Sequence, residues 1–83
     1  MQHLEEVKSI LSDVLALRER KDFLKEDSTL LGNIPELDSM AVINVITALE
    51  EHFGITVDDD EISARTFETL GSLTRFVEQK LAE

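Results

Sequence analysis

Apolar residues recur at steps of three and four positions in three separate stretches of the chain, and this spacing restricts the possible folds more than any other feature. It places apolar side chains on one face of an α-helix, whereas a half-buried strand would show strict alternation. One proline and three glycines leave few turns between the stretches. The sequence therefore predicts an all-α fold in a single domain, residues 1–83. The three helical faces are Leu4, Val7, Leu11 and Val14; Val42, Val45, Ile46, Leu49 and Phe53; and Leu70, Leu73, Val77 and Leu81.

Capping residues and breaks in the periodicity indicate where the helices begin and end. The second helix is expected to begin at Asp38-Ser39, because Asp and Ser are good N-cap residues. It should end at Phe53, because Gly54 suits the left-handed conformation that follows a helix. Thr69 can cap the last helix in the same way. The prediction is a four-helix bundle with three main helices and one short helix, the first and the short helix covering residues 2–17 and 58–64.

A long loop over residues 20–37 separates the first two main helices. Loops of this length in a small domain usually have a function or buried anchors of their own. The basic residues around its start suit the C-terminal end of the first helix, where the helix dipole favours cations. The predicted anchors are Phe23, Leu24, Leu30, Leu31 and Ile34. The basic residues are Arg18, Arg20 and Lys21.

The charge of the chain restricts its partners. Eighteen acidic residues against eight basic ones give a formal net charge of −10. Nucleic acids and anionic membranes would be repelled, since both bind proteins largely through Lys and Arg. Partners with basic patches are favoured, because opposite charges speed association. With no long apolar run and no signal-peptide pattern at its start, the chain is expected to be a cytoplasmic monomer without membrane insertion.

The second helix has two distinct faces when its residues are placed at 100° intervals. One face is the apolar set given above and is predicted to be core. The other is polar, yet it contains two apolar residues, Met40 and Ile43, within one turn of Ser39. An apolar centre with an acidic rim is typical of a protein–protein interface. The predicted partner-binding residues are Met40, Ile43, Asn44, Thr47, Glu50 and Glu51.

Ser39 lies between Asp38 and Met40 at the start of this helix, and Leu30-Leu31-Gly32 precedes it in the long loop. The helix closes with Ala-Leu-Glu-Glu-His-Phe, residues 48–53. In these motifs, and in the order of its segments, the chain resembles the acyl carrier protein family over nearly its whole length. The tripeptide Asp38-Ser39-Met40 alone would be a weak signal. Its place at the start of the helix, the closing run over residues 48–53, the length of the chain and its acidity together make the resemblance specific.

The resemblance implies a carrier protein and not an enzyme. Ser39 matches the position that accepts 4′-phosphopantetheine from coenzyme A, and Asp38 matches the acid before it. The implied partners are a phosphopantetheinyl transferase, an acyl or aminoacyl ligase or an acyltransferase, and the downstream synthases or transferases of lipid or fatty acid biosynthesis. An acyl cargo could fold back between the helices, with Val7, Leu11, Ile46, Leu49 and Leu73 as candidate lining residues.

The chain departs from the common family pattern in several places, including Gly54 and Asp58. Ala41 and Asn44 stand where acids are frequent, and the stretch over residues 33–36 is longer than in fatty-acid carriers. D-alanyl and other aminoacyl carriers, loaded by AMP-forming ligases, have a similar motif. The sequence therefore leaves the cargo open between acyl and aminoacyl groups.

Three other functions fit the sequence less well. A hydrolase is disfavoured, because Asp38 is adjacent to Ser39 in sequence and His52 lies about 20 Å further along the same helix by helical rise. His3 lies near the chain terminus, and both histidines are expected to be ordinary surface residues. The acids at residues 58–61 lack the spacing of a calcium loop, so no metal ligands are predicted. A helical interaction module without a prosthetic group would explain the charge and the exposed apolar residues, but not the serine.

Overall fold

The computed structural model describes residues 2–83, and the secondary-structure elements that it contains are helices joined by loops. Three α-helices are present: α1 (Leu4–Leu15), α2 (Ser39–Phe53) and α3 (Leu70–Ala82). Two 3₁₀ helices, Arg18–Phe23 and Asp59–Glu61, lie in the connections. Within residues 2–83 the only β-type pairing is an isolated bridge between Thr29 and Thr69. The predicted all-α fold with three main helices and a long first loop is confirmed.

The short helix differs from its prediction. It is a single 3₁₀ turn that ends at Glu61, whereas one or two turns through Ala64 were expected. The chain leaves the helix after Glu61, and the next residue, Ile62, packs against the core. A 3₁₀ turn is the usual form of such short connecting helices.

The core lies between the three α-helices and the long loop. Val7 and Leu11 of α1, Val45 and Leu49 of α2, and Leu73 of α3 are almost fully buried. The predicted faces are therefore correct except at Leu81. Val14, Val42 and Phe53 are partly buried and pack against the core, whereas Leu81, near the end of α3, is 38% exposed.

The first helix is shorter than predicted, Leu4–Leu15 against residues 2–17. Ala16 takes the left-handed conformation, and the Leu17 N–H donates to the carbonyl of Ser12 at 3.0 Å. This turn ends α1 and directs Leu17 into the core. The expectation that Arg18, Arg20 and Lys21 extend the helix end is wrong, since they form the first 3₁₀ helix instead; Arg20 pairs with Glu36.

Three of the five predicted loop anchors are correct. Leu24, Leu30 and Ile34 are buried, whereas Phe23 is 77% exposed and Leu31 is 41% exposed. The loop is held mainly by its backbone, which runs beside the start of α3. The N–H groups of Leu30 and Leu31 donate to the carbonyls of Glu68 and Phe67 at 2.9 and 3.0 Å. In return, Leu70 and Gly71 donate to Ser28 and Glu26 at 3.0 and 2.7 Å.

Gly71 allows the loop to approach α3 this closely. A Cβ atom at this position would lie 2.9 Å from the Glu26 carbonyl oxygen, a contact that side chains do not make. Gly→Ala inside a helix ordinarily stabilises a protein by about 0.5–1 kcal/mol. We expect the opposite sign for Gly71→Ala, with a loss of about 1–3 kcal/mol from overpacking against backbone. Urea denaturation of the two proteins measures this, and a stabilised variant would contradict the assigned packing.

The two histidines connect α1 to α2. His3 Nδ1 and His52 Nε2 lie 2.9 and 3.1 Å from the two carboxylate oxygens of Glu6. A carboxylate only accepts hydrogen bonds, so each of these ring nitrogens carries a proton. Both rings also contact Phe53 edge-on, with centroids 5.5 and 4.7 Å away. The histidines are thus on the surface, as expected. Their contacts join the start of α1 to the end of α2, so the two helices run antiparallel.

This cluster predicts a dependence of stability on pH. The hydrogen bonds from His3 and then His52 hold the pKa of Glu6 below its ordinary value. A carboxylate with a lowered pKa in the folded state stabilises the fold above its ordinary pKa, and this contribution is lost as the pH falls through the folded value. We therefore expect Glu6→Gln to be less stable than the wild type at neutral pH and the difference to shrink in acid. Denaturation curves over a pH series measure it. Glu5→Gln is the matched control, because Glu5 is 80% exposed and 4.0 Å from Lys8; a constant difference for Glu6→Gln would contradict the assignment.

Candidate functional site

The N-terminus of α2 presents Ser39 to solvent. Asp38 is the N-cap residue, with extended backbone angles, and its Oδ1 accepts the Ala41 N–H at 2.8 Å. The first helical bond follows from Val42 to the Asp38 carbonyl at 2.9 Å. The cap is therefore Asp38, and Ser39 is the first residue of the helix, where a serine is free to serve another purpose. Its side chain is exposed, and no residue within 2–83 forms a hydrogen bond with its hydroxyl.

The segment before Ser39 is fixed at several points. Leu37 is buried, and its N–H donates to the Ile34 carbonyl at 3.0 Å. Glu36 accepts two hydrogen bonds from the Arg20 guanidinium, which lowers the pKa of Glu36 and raises that of Arg20. The start of α2 is thus anchored to the core and to the first 3₁₀ helix. Ser39 therefore begins a helix that is anchored immediately before it.

An open, mainly apolar cavity of about 370 Å³ adjoins Ser39. It lies between the long loop, α2 and the segment before α3, and Phe67 forms its buried wall. The cargo-lining residues that the family resemblance suggested lie elsewhere, in the tightly packed core. The residues that line the cavity are Leu31, Ser39, Val42, Ile62, Ser63, Ala64 and Phe67.

The polar face of α2 has the predicted exposed apolar residues. Met40 is 65% and Ile43 is 58% exposed, and Asn44, Thr47 and Glu51 are also exposed. The structure places all of them on the side of α2 that faces solvent, with Met40 and Ile43 nearest to Ser39 and Glu51 towards the other end of the helix. Their place in the fold therefore permits contact with a partner.

Glu50 is placed differently from the other members of this face. Its Oε2 accepts the Val57 N–H at 2.9 Å, and its side chain is partly buried. This bond holds the turn after α2, where Gly54 has the left-handed φ of 66° expected at a helix end. Glu50 thus has a structural contact that the sequence pattern did not indicate.

The described residues offer no other chemistry at this end of α2. His52 bonds to Glu6 at the far end of the helix, so it cannot act as a base for Ser39. No group of His, Cys, Asp and Glu within the described part of the chain is arranged to hold a metal ion, and the side chain of Asp59 lies outside that part. None of the helices that the structure describes is long and apolar enough to cross a membrane.

The site is a capped helix with an exposed serine as its first residue, beside an apolar cavity in a small helical domain, and comparisons with known proteins identify its class. The family model for the phosphopantetheine attachment site matches residues 5–77. The chain is 33% identical to an acyl carrier protein of Sulfurovum sp. (strain NBC37-1) over 94% of its own length and 97% of that protein. It is 29% identical to an acyl carrier protein of Thermotoga maritima, over 90% and 86% of the two chains.

The structural comparison agrees with the sequence comparisons. A solution NMR structure of a holo acyl carrier protein from Nitrosomonas europaea superposes with a TM-score of 0.92, with 72% identity and full coverage of both chains. The chain belongs to the acyl carrier protein family. It is accordingly a stand-alone carrier with 4′-phosphopantetheine as its covalent cofactor, a substrate of other enzymes and not a catalyst.

The sequence pattern missed part of the site. Ile62, Ala64 and Phe67 were assigned to a short helix or to no element, yet they form the wall of the cavity opposite α2. The available signal was the presence of apolar residues at 62 and 67 within a mainly polar stretch, residues 58–69. Their spacing fits no helix or strand, so periodicity could not place them.

Proposed function

We propose that Ser39 is the residue to which phosphopantetheine is attached and that the arm carries acyl groups as thioesters. The observation that supports this most directly is the position of Ser39, exposed at the first turn of α2 with Asp38 already supplying the cap. The arm itself would supply the thiol that forms the thioester. The chain has no cysteine, so no thiol of its own would compete for the cargo.

In the attachment reaction this chain presents the Ser39 hydroxyl and stabilises the phosphodiester that forms on it. The Ser39 oxygen would attack the pyrophosphate of coenzyme A at the phosphorus next to pantetheine. The bond from this phosphorus to the bridging oxygen would break, and 3′,5′-adenosine bisphosphate would leave. The serine proton would pass to a base of the transferase. The N–H groups of the first helical turn and the helix dipole favour the negative charge of the resulting phosphodiester. The Asp38 side chain accepts one of these N–H groups, that of Ala41, and so orders the first turn. It lies before Ser39 and leaves the serine hydroxyl accessible.

The cavity beside Ser39 favours an acyl cargo over an aminoacyl one. Its lining is mainly aliphatic and aromatic, with only two serine hydroxyls, Ser39 and Ser63. A charged ammonium group there would lose hydration without a carboxylate partner, whereas an acyl chain would bury apolar surface. We propose acyl intermediates of lipid or fatty acid biosynthesis as the cargo and the cytoplasm as the place of action. We also propose that the carrier acts as a monomer, which its net charge of −10 favours through self-repulsion.

Intact-protein mass spectrometry tests the proposed cargo. The protein is purified from its source cells under conditions that preserve thioesters, and its mass is compared with that of the apo and phosphopantetheinylated forms. Masses that exceed the latter by acyl groups support the proposal. A mass increase equal to alanine or another amino acid would replace it with the aminoacyl reading, and an unmodified chain would contradict carrier function itself.

The exposed face of α2 is proposed as the contact surface for the transferase and for the loading and downstream enzymes. Met40 and Ile43 provide apolar contact next to the attachment point, and Glu51 provides exposed charge further along. Apolar groups near the centre of an interface contribute most to its lifetime, whereas exposed charges mainly accelerate association. Basic partner surfaces would fit this arrangement.

This division predicts different kinetic effects for two substitutions. Glu51→Lys should slow association with the transferase by up to about tenfold at low salt, and the defect should shrink as salt screens the charges. Met40→Asp should increase dissociation at every ionic strength. Stopped-flow measurements over a salt series would distinguish the two. Glu50 is left unchanged because its bond to Val57 would confuse the result; a wild-type rate for Glu51→Lys at low salt would contradict the acidic rim.

A further inference from the structure

Half of the chain's positive charge lies in one short segment. Four of the eight basic residues fall within residues 18–25, against two acidic ones, in a chain that carries eighteen acids. None of these cations lies in the last turn of α1, where it would interact with the negative end of the helix dipole, because α1 ends at Leu15. Among the side chains that the structure describes, only Arg20 of this group has an ion-pair partner, namely Glu36. Contacts within the described part of the chain therefore do not account for the concentration of cations.

Among the residues that the structure describes, the large apolar side chain with the greatest exposure lies in the same segment. Phe23 is 77% exposed at the end of the first 3₁₀ helix. It stands beside an open cavity of about 290 Å³, whose floor consists of Leu17, Leu24 and Ile34 and whose rim includes Arg20. A phenylalanine left in water next to an unfilled apolar cavity is unfavourable for an isolated domain. The combination suits a surface that another molecule covers.

The geometry of the 3₁₀ helix separates the charges. Side chains three positions apart lie above one another in such a helix. Arg20 and Phe23 thus share one edge, and the acidic Glu19 and Asp22 share another. Of this helix, Arg20 and Phe23 line the cavity, and neither acid does. Arg18 begins the helix with a φ of 56°, a conformation that costs energy for any residue but glycine and that the surrounding structure must maintain.

We propose that this region, the basic surface (Arg18, Arg20, Lys21, Phe23 and Lys25), is a second docking surface that takes an acidic protein partner. The partner inserts an apolar side chain into the cavity beside Phe23, and its carboxylates meet the surrounding cations. Charge complementarity selects this class of partner, since the polar face of α2 is suited to the opposite charge. The bond from Arg20 to Glu36 keeps the basic surface at the end of the molecule where α2 begins, so a partner bound there lies close to Ser39.

A titration with a designed peptide tests the proposal and does not require the natural partner. The probe is a helical peptide with glutamates and aspartates around two leucines four positions apart, and the control peptide replaces the acids with lysines. Both are titrated into the ¹⁵N-labelled holo protein and followed by amide shifts. The acidic peptide should shift resonances within residues 17–34, whereas the basic peptide should shift those of α2.

Substitutions then localise the effect. Phe23→Ser and Lys21→Glu should each weaken the acidic peptide by about tenfold, the loss expected for an interface-centre contact. Arg75→Glu makes the same change of charge on α3, away from the cavity, and should change the Kd by less than about twofold. Equal affinity for all variants, or no binding of the acidic peptide, would overturn the proposal.

Anionic vesicles of phosphatidylglycerol and phosphatidylcholine form the remaining arm, because a phenylalanine among cations also suits a lipid surface. Binding of vesicles that depends on Phe23, without binding of the acidic peptide, would assign the surface to membranes and overturn the proposal. The amide spectrum of each variant reports its fold. If Phe23→Ser is not folded, Lys21→Glu and Arg75→Glu decide between the outcomes.

Discussion

Replacing Ser39 with alanine is expected to abolish phosphopantetheinylation completely while leaving the fold unchanged. The modification needs a serine oxygen as its nucleophile, and Ser39 is the only residue with a hydroxyl group in the first turn of α2. The stability should hardly change, because the structure assigns the helix cap to Asp38. Alanine at the first helical position is, if anything, a better helix former than serine. Intact mass after incubation with coenzyme A and a phosphopantetheinyl transferase gives the result, and thermal unfolding gives the control.

Two further variants make this result specific. Ser63→Ala removes the other serine that lines the same cavity and should be modified at the wild-type rate. Asp38→Ala should show the reverse of Ser39→Ala, with modification retained and a loss of about 0.5–2 kcal/mol, the usual cost of a lost cap. If the Ser39→Ala protein still gained the mass of one phosphopantetheine, attachment would have to be sought at another residue.

The second α-helix could be predicted from the sequence almost to the residue, because its limits depend on local chemistry. Asp38 caps the first turn through its own side chain, and Gly54 takes a left-handed conformation that other residues avoid. Its exposed face was also predictable, since Met40 and Ile43 interrupt a polar arc that periodicity alone defines. The family resemblance rests on this same helix, which is why the sequence alone was enough to propose the attachment residue.

The long loop could not be predicted in the same way, because its structure depends on contacts distant in sequence. Periodicity cannot tell Leu30, which is fully buried, from Leu31 beside it, which is partly exposed. The distinction comes from the backbone bonds of both residues to the segment before α3. Gly71 is the sequence trace of this contact, but a glycine near a helix start can equally mark a turn or a helix boundary.

The largest effect on stability is expected at Phe67, which the sequence assigned to no element. It is 2% exposed and is the largest fully buried side chain of the described residues. Phe67→Ala should destabilise the protein by about 3–5 kcal/mol through lost burial and a residual cavity. Domains of this kind are stable by only about 5–15 kcal/mol, so the variant should lose a large fraction of its free energy of unfolding. Urea denaturation measures the change, and Phe67→Leu, with an expected loss of about 1–2 kcal/mol, keeps the experiment interpretable if the alanine variant does not fold.

Phe23→Ala is the matched control, because it removes the same atoms from a side chain that is 77% exposed. Its effect should be within about 0.5 kcal/mol, as for most surface substitutions. The contrast also bears on function, since Phe67 walls the cavity beside Ser39 and its carbonyl accepts the N–H of Leu31, which lines the same cavity. A folded Phe67→Leu protein should therefore retain phosphopantetheinylation but protect a thioester-bound acyl chain less well from hydrolysis. Equal losses of stability for Phe67→Ala and Phe23→Ala would show that the segment before α3 does not pack against the core as described.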